Sequence, residues 1–278
     1  MFKSSTIVKL IFIFSACLLI AVINNQTHLS LYINQEASES QLGYDLSWPQ
    51  CGQLESLPKG QLFGIVGVNN GVANQTNPCL FIEMLWAGSS TGGENQPKIA
   101  LYVNTANPSD ILPQVPDWPK SNKDVIIPEV TDADYYGICN DTISASCAWQ
   151  YGYNLANLDA NRRGIPDPSL YIWYLDVELI NTWSTNANLN ANVLEGMAAY
   201  FKNIGATVGI YSTPAQWLII VGKISQQSDL NSLIDWIASL GSKATAQANC
   251  QDQALTNGGQ VRLSQYIVNH ADYDLACS

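Results

Sequence analysis

Asp176 and Glu178 stand two residues apart in the run YIWYLDVELI, residues 171–180 of a 278-residue chain. Alternate residues of an extended strand face the same side, so the two carboxyls point the same way. The run around them is apolar, and an ionised carboxylate buried there without a partner is costly. Only 12 Lys and Arg are present to pair with 23 Asp and Glu. Two such carboxyls suit glycosidic cleavage, in which one protonates the leaving oxygen and a negative group stabilises the oxocarbenium-like centre. A salt-bridged or helix-capping role is the structural alternative. Asp45 in LGYDLSW and Asp272 and Asp274 near the C-terminus add further acids. Apolar neighbours should raise the pKa of Glu178, leaving Asp176 the ionised member. Ser212 has only His28 and His270 as histidines in the chain, and His28 falls ahead of the expected barrel domain, so a serine triad is not expected. His270, Asp272 and Asp274 lack a fourth ligand for a metal site, and no cofactor is implied.

These residues need strands to hold them. Apolar runs begin at Leu42, Phe63, Lys98, Asp124 (DVIIPEV), Leu170, Thr207, Leu233 and Val261. Continuous apolar runs mark parallel strands covered by helices, and segments near 79–88, 147–163 and 188–203 are long enough to be those helices. Eight strands favour an α/β fold, a single TIM-like (β/α) barrel. The connections shorten after GIYS, so fewer than eight helices are expected. Barrel enzymes carry their sites at the C-terminal ends of the strands, where Asp45, Asp176 and Glu178 fall. Residues 107–128 carry five prolines and read as a long loop.

The compartment is legible at the N-terminus. Lys3 and Lys9 precede an apolar stretch over residues 10–23. Residues 1–25 therefore read as a signal peptide, or as an uncleaved N-terminal anchor, followed by a short flexible segment over 26–41 and a barrel domain over 42–278. Six cysteines remain after Cys17 and imply three disulfides. Sequence neighbours close the shortest loops, which favours Cys51–Cys79, Cys139–Cys147 and Cys250–Cys277. A formal charge of −11 argues against nucleic acid or an anionic membrane as partner. A secreted monomer is expected.

The motifs DLSWPQ (45–50), YLDVE (174–178), GIYS (209–212) and QY…DYDLA (265–276) resemble, in order, those of family 25 glycoside hydrolases, the N-acetylmuramidase type of lysozyme. The chain looks closer still to a secreted, glycoside-hydrolase-like bacterial branch sharing the GYD-SWPQCG, GIVGVN-G and LYVNTANP signatures. The resemblance implies a peptidoglycan or related amino-sugar substrate, with Glu178 as general acid and Asp176 positioning the substrate's 2-acetamido group. It also implies supporting roles for Asp45 and Asp274, with Tyr211 turned towards the same centre; Gln265 and Tyr266 belong to the last motif. Trp48 is a sugar-stacking platform or core filler, and Asn104 bonds a hydroxyl or caps a turn. The first motif usually continues Gln-Gly, whereas here Cys51 intervenes, and a disulfide at the barrel mouth could narrow the cleft; the proline-rich insertion could cover it. A barrel that binds glycan without cleaving it is the alternative function, and inversion and substrate-assisted retention both remain open.

Overall fold

The computed structural model describes residues 42–277, apart from 53–56, 71–72, 74, 94–95, 113–114, 116, 125–135, 141, 240 and 270. The expected leader and spacer over 1–41, with Cys17 and His28, lie outside the described residues, as does His270. Eight strands close into a barrel in chain order: β1 Leu42–Leu46, β2 Gly64–Gly67, β3 Ile99–Asn104, β4 Ile172–Asp176, β5 Thr207–Ser212, β6 Ile234–Ile237, β7 Gln260–Val268 and β8 Ala271–Ala276. Neighbours from β1 to β7 pair in parallel, with Asn104 beside Asp176 and Asp176 beside Tyr211. The last strand runs antiparallel to both β7 and β1 and closes the ring.

Two features differ from the sequence reading. The strand expected from Asp124 lies outside the described residues except for Asp124 itself, which sits in a 3-10 turn. Because β3 pairs directly with β4, the barrel closes without it. The eighth strand is instead ADYDLA, joined to β7 by a two-residue connection after Val268. Asn269 there adopts φ +51°, the left-handed conformation that tight hairpin turns require. Alternating acids hid this strand from a search for continuous apolar runs.

Five helices are present among the described residues: α1 Leu80–Gly88, α2 Ala145–Arg162, α3 Ala187–Asn203, α4 Pro214–Ile220 and α5 Lys243–Asn249. The two longest follow β3 and β4, and the last two span seven residues each. Ser144, Asn186 and Thr213 cap α2, α3 and α4 by accepting hydrogen bonds from the backbone amides of Cys147, Asn188 and Gln216. Helices α2 and α3 touch backbone to backbone: a Cβ on Gly152 would strike the Val193 carbonyl, and one on Gly196 the Trp149 carbonyl.

Strand alternation divides the apolar residues into two sets. Ile65, Ala100, Tyr174, Tyr211, Trp236 and Leu263 pack inside the barrel with Phe63. Val66, Leu101, Val103, Trp173, Leu175, Val208 and Ile210 face outward into the helical layer. Trp173 stacks on Phe201 of α3 at 4.5 Å between ring centroids. Burying side chains of this size contributes about 1.5–3 kcal/mol each. Three disulfides, Cys51–Cys79, Cys139–Cys147 and Cys250–Cys277, pair the cysteines as their sequence order suggested. No helix among the described residues is long and apolar enough to cross a membrane.

Candidate active site

The barrel phase that sends Tyr174 inward sends Asp176 and Glu178 to the mouth, where both line one cleft of about 480 Å³. Asp45 from β1 and Asp272 from β8 line it too. Aromatic walls come from Tyr102, Tyr211 and Trp236, and the rim from Ser47, Pro49 and Gln50 on one side and Thr213 and Gln216 on the other. None of the described residues of the proline-rich segment lines this cleft.

The backbone around the acidic pair is pinned. The Asp176 carbonyl accepts from Thr105 Oγ1 at 2.6 Å, Thr105 N at 3.3 Å and Asn181 Nδ2 at 3.4 Å. The Glu178 carbonyl accepts from Trp183 Nε1 at 2.8 Å and Asn181 N at 3.1 Å. Gln216 Oε1 accepts from Leu179 N at 2.7 Å, and the Gln216 side chain also bonds the Glu178 carboxyl. Fixing the main chain on both sides of each acid holds the carboxyls in place before any ligand arrives.

A polar chain crosses the barrel floor. Tyr211 Oη donates to Gln265 Oε1 at 2.7 Å, and Gln265 Nε2 donates to Asp45 Oδ2 at 2.8 Å. Asp45 and Asp274 are also hydrogen-bonded to each other, and Trp236 Nε1 donates to Asp274 Oδ1 at 2.8 Å. Two carboxyls so close cannot both ionise, so they share a proton.

Among the described residues no lysine or arginine lines the cleft, and every acid lining it is shifted upward. Burial, reinforced by Asp272, pushes Asp45 up to about 7 against the bonds from Gln265 and Asp274. Burial raises Glu178 and Asp272. Asp176, only 3% exposed, is driven well above the usual carboxylate range by burial and then by Glu178 and Asp45. It was expected to be the ionised member; depth inside the mouth and the acid neighbours Glu178 and Asp45 oppose that. Its Oδ1 is buried without a hydrogen-bond partner.

The remaining expected site residues sit elsewhere. Asn104 is engaged by Asn69: its backbone N donates to Asn69 Oδ1 at 2.7 Å, its backbone carbonyl accepts from Asn69 Nδ2 at 3.1 Å, and its side-chain Nδ2 donates to Asn69 Oδ1 at 3.2 Å. Tyr266, one residue out of phase with Gln265, lies on the outer face stacked on Tyr273 at 5.3 Å. Trp48, 38% exposed, begins the 3-10 turn after β1, and its neighbours Pro49 and Gln50 reach the cleft rather than Trp48 itself. Asp274 is fully buried beneath the cleft floor. The Cys51–Cys79 bridge ties the end of this rim turn to the N-cap of α1. Sequence reading missed Tyr102, Trp236 and Gln216. Tyr102 shares the strand phase of Asn104 and could have been found by alternation, whereas Gln216 sits on a helix with no sequence signal. No three His, Cys, Asp or Glu among the described residues come together as a metal-holding group.

Residues 166–253 match the model of the family described as Lysozyme-like protein 1. That segment contains YLDVE and GIYS, two of the four motifs that carried the lysozyme-like resemblance. Among solved structures, the bacterial lysozyme from Streptomyces coelicolor is similar over 86% of this chain and 93% of that chain, at 12% identity and a TM-score of 0.48. No curated protein matches the sequence.

Proposed function

With the lysozyme-like match over residues 166–253 as premise, we propose that this protein is an exported glycosidase that hydrolyses an amino-sugar cell-wall glycan in the barrel mouth. Glu178 is the general acid. The observation that carries this reading is the shared cleft: Asp176 and Glu178 line one accessible cavity, with Glu178 biased towards its protonated form.

The chemistry follows from the placement. Glu178 gives its proton to the glycosidic oxygen as the bond to the anomeric carbon breaks. Positive charge grows on that carbon, and the acid-lined wall stabilises it. The Asp176 carboxyl, which lines the cleft, accepts the N–H of a 2-acetamido group; that donor returns Asp176 towards its ionised form just where the charge develops. Water supplies the hydroxyl that ends on the anomeric carbon, and its proton returns the site to its starting state. Tyr211, Gln265 and Asp45, joined in one hydrogen-bonded chain, hold the opposite wall. Tyr102 and Trp236 offer faces to a sugar ring. Three disulfides suit an oxidising extracellular setting.

The test incubates the protein with purified peptidoglycan and with chitin oligomers and follows new reducing ends. Wild type should release them, and Glu178→Gln should be slower by about 10² to 10⁴. A wild type that binds one of these glycans and cleaves none would instead support the non-catalytic barrel.

A further inference from the structure

One of the three disulfides reaches the cleft. Pro49 and Gln50 form part of its rim, and Cys51 follows them directly. The hydrogen bonds of this turn stay within it: Ser47 N donates to Gln50 Oε1, Gln50 N to the Ser47 carbonyl and Cys51 N to the Trp48 carbonyl, each at 3.0 Å. Ser47 is itself held by a side-chain bond to Tyr102. Beyond Ser47, no hydrogen bond among the described residues joins the turn to the rest of the barrel, and the Cys51–Cys79 bridge does so instead. Its other end is rigid. Cys79 is the N-cap of α1 and its amide donates to Asn77 Oδ1 at 3.0 Å, while the buried Asn77 Nδ2 donates to the Gly67 carbonyl at 2.8 Å and to Glu83 Oε2 at 2.7 Å. Cys51 and Cys79 are half-buried, whereas Cys139 and Cys147 are buried, so an external thiol meets the first pair more readily. We propose that the Cys51–Cys79 bridge is a redox latch on the cleft: when a dithiol reduces it, the barrel stays folded, the wall made by Pro49 and Gln50 slackens, and glycan binds more weakly. The proposal rests on the reading of the cleft as a glycan site. One thiolate of the dithiol attacks a bridge sulfur and breaks the S–S bond to give a mixed disulfide; the second thiolate then closes the dithiol into its own disulfide, and two electrons and two protons end on Cys51 and Cys79. The Cys250–Cys277 bridge is an internal control. It too is half-buried, but it lies at the end of the barrel where β1 begins, since Leu275 pairs with Leu42. The two bridges span 28 and 27 residues, so opening either should cost similar stability through loop closure, and only the first should change the cleft.

Three readouts on the full chain test this. Brief dithiothreitol treatment followed by alkylation and mass mapping should label Cys51 and Cys79 while Cys139 and Cys147 stay unlabelled. A Cys51→Ser/Cys79→Ser protein should keep its near-UV circular dichroism and exchange the Gln50 and Cys51 amides faster in deuterated solvent. It should also bind N-acetylglucosamine hexamer about three- to tenfold more weakly, the cost of ordering one or two side chains on binding. KM should rise by the same factor with kcat unchanged. Cys250→Ser/Cys277→Ser should match wild type in hexamer affinity and in exchange of the turn. Hexamer affinity that is unchanged in the first variant, or lowered equally in both, overturns the proposal, as does labelling that appears only once the near-UV signal is lost. Turn exchange unaffected by opening the bridge overturns it whether or not glycan binds. Bridge-dependent hexamer binding without any bond cleavage would support the latch and sink the proposed glycosidase; cleavage that proceeds equally well with the bridge open would do the reverse.

Discussion

Glu178 is tuned from two directions. Burial and then the charge of Asp272 raise its pKa, and the hydrogen bond from Gln216 lowers it. A general acid works while protonated, so activity should be retained below its raised pKa and fall as pH rises through it. Removing the lowering contact with Gln216→Ala should move that alkaline limb of kcat/KM to higher pH, which a pH–rate profile reads directly; a limb that stays put or moves down would contradict the assignment. At this scale the sequence was informative where strand phase decides direction. Asp176, Glu178 and Asp45 each face the mouth as alternation requires. Tyr266 shows the limit of motif proximity, since one step along β7 turns it to the outer face. Gln216 was illegible because its contact with Glu178 joins a helix to a loop 38 residues earlier, and nothing local announces it.

The elements divide by how their patterns arise. Parallel strands buried on both faces read as apolar runs, so all seven parallel strands could be placed with close bounds. β8 escaped because its inward residues are Asp272 and Asp274, a functional constraint that breaks the apolar pattern. The α2–α3 pair is the tightest junction between helices, and glycine makes it possible. Gly196→Ala should cost about 1–3 kcal/mol or more, because the new methyl meets rigid backbone in α2 rather than a side chain that can swing away. Chemical denaturation measures it. Gly164→Ala, where a methyl meets nothing within 4 Å but φ is +80°, separates overpacking from backbone strain: its cost should come from strain alone.

For the whole molecule, charge is the dominant feature. Asp45 and Asp235 are each pushed up to about 7 by burial, and Asp176 and Asp274 lie well above their ordinary values. A carboxyl whose folded pKa exceeds its unfolded value, about 4, binds its proton more tightly in the native state. Its stabilising contribution is complete below the unfolded pKa and is lost as pH rises through the folded one. Asp110 and Asp124, held low by hydrogen bonds at the surface, act in the opposite sense but are solvent-exposed and count for less. Thermal melts should therefore show a higher Tm near pH 5 than near pH 8, with most of the fall spread between pH 5 and about 7. A Tm that rises across this range would contradict the burial of these acids as protonated groups. The excess of 23 acidic over 12 basic residues was visible from composition, yet which acids are buried follows from barrel closure, which brings Asp45 and Gln265 together across 220 residues.

The central claim is that Glu178 delivers a proton to a leaving sugar oxygen, and leaving-group dependence tests it most directly. The measurement compares wild type and Glu178→Gln on a chitooligosaccharide and on the matching aryl glycoside, whose acidic phenol departs without protonation. The account predicts a loss of about 10² to 10⁴ on the oligosaccharide and a far smaller one on the aryl glycoside. Equal losses on both substrates, or none on either, would contradict it.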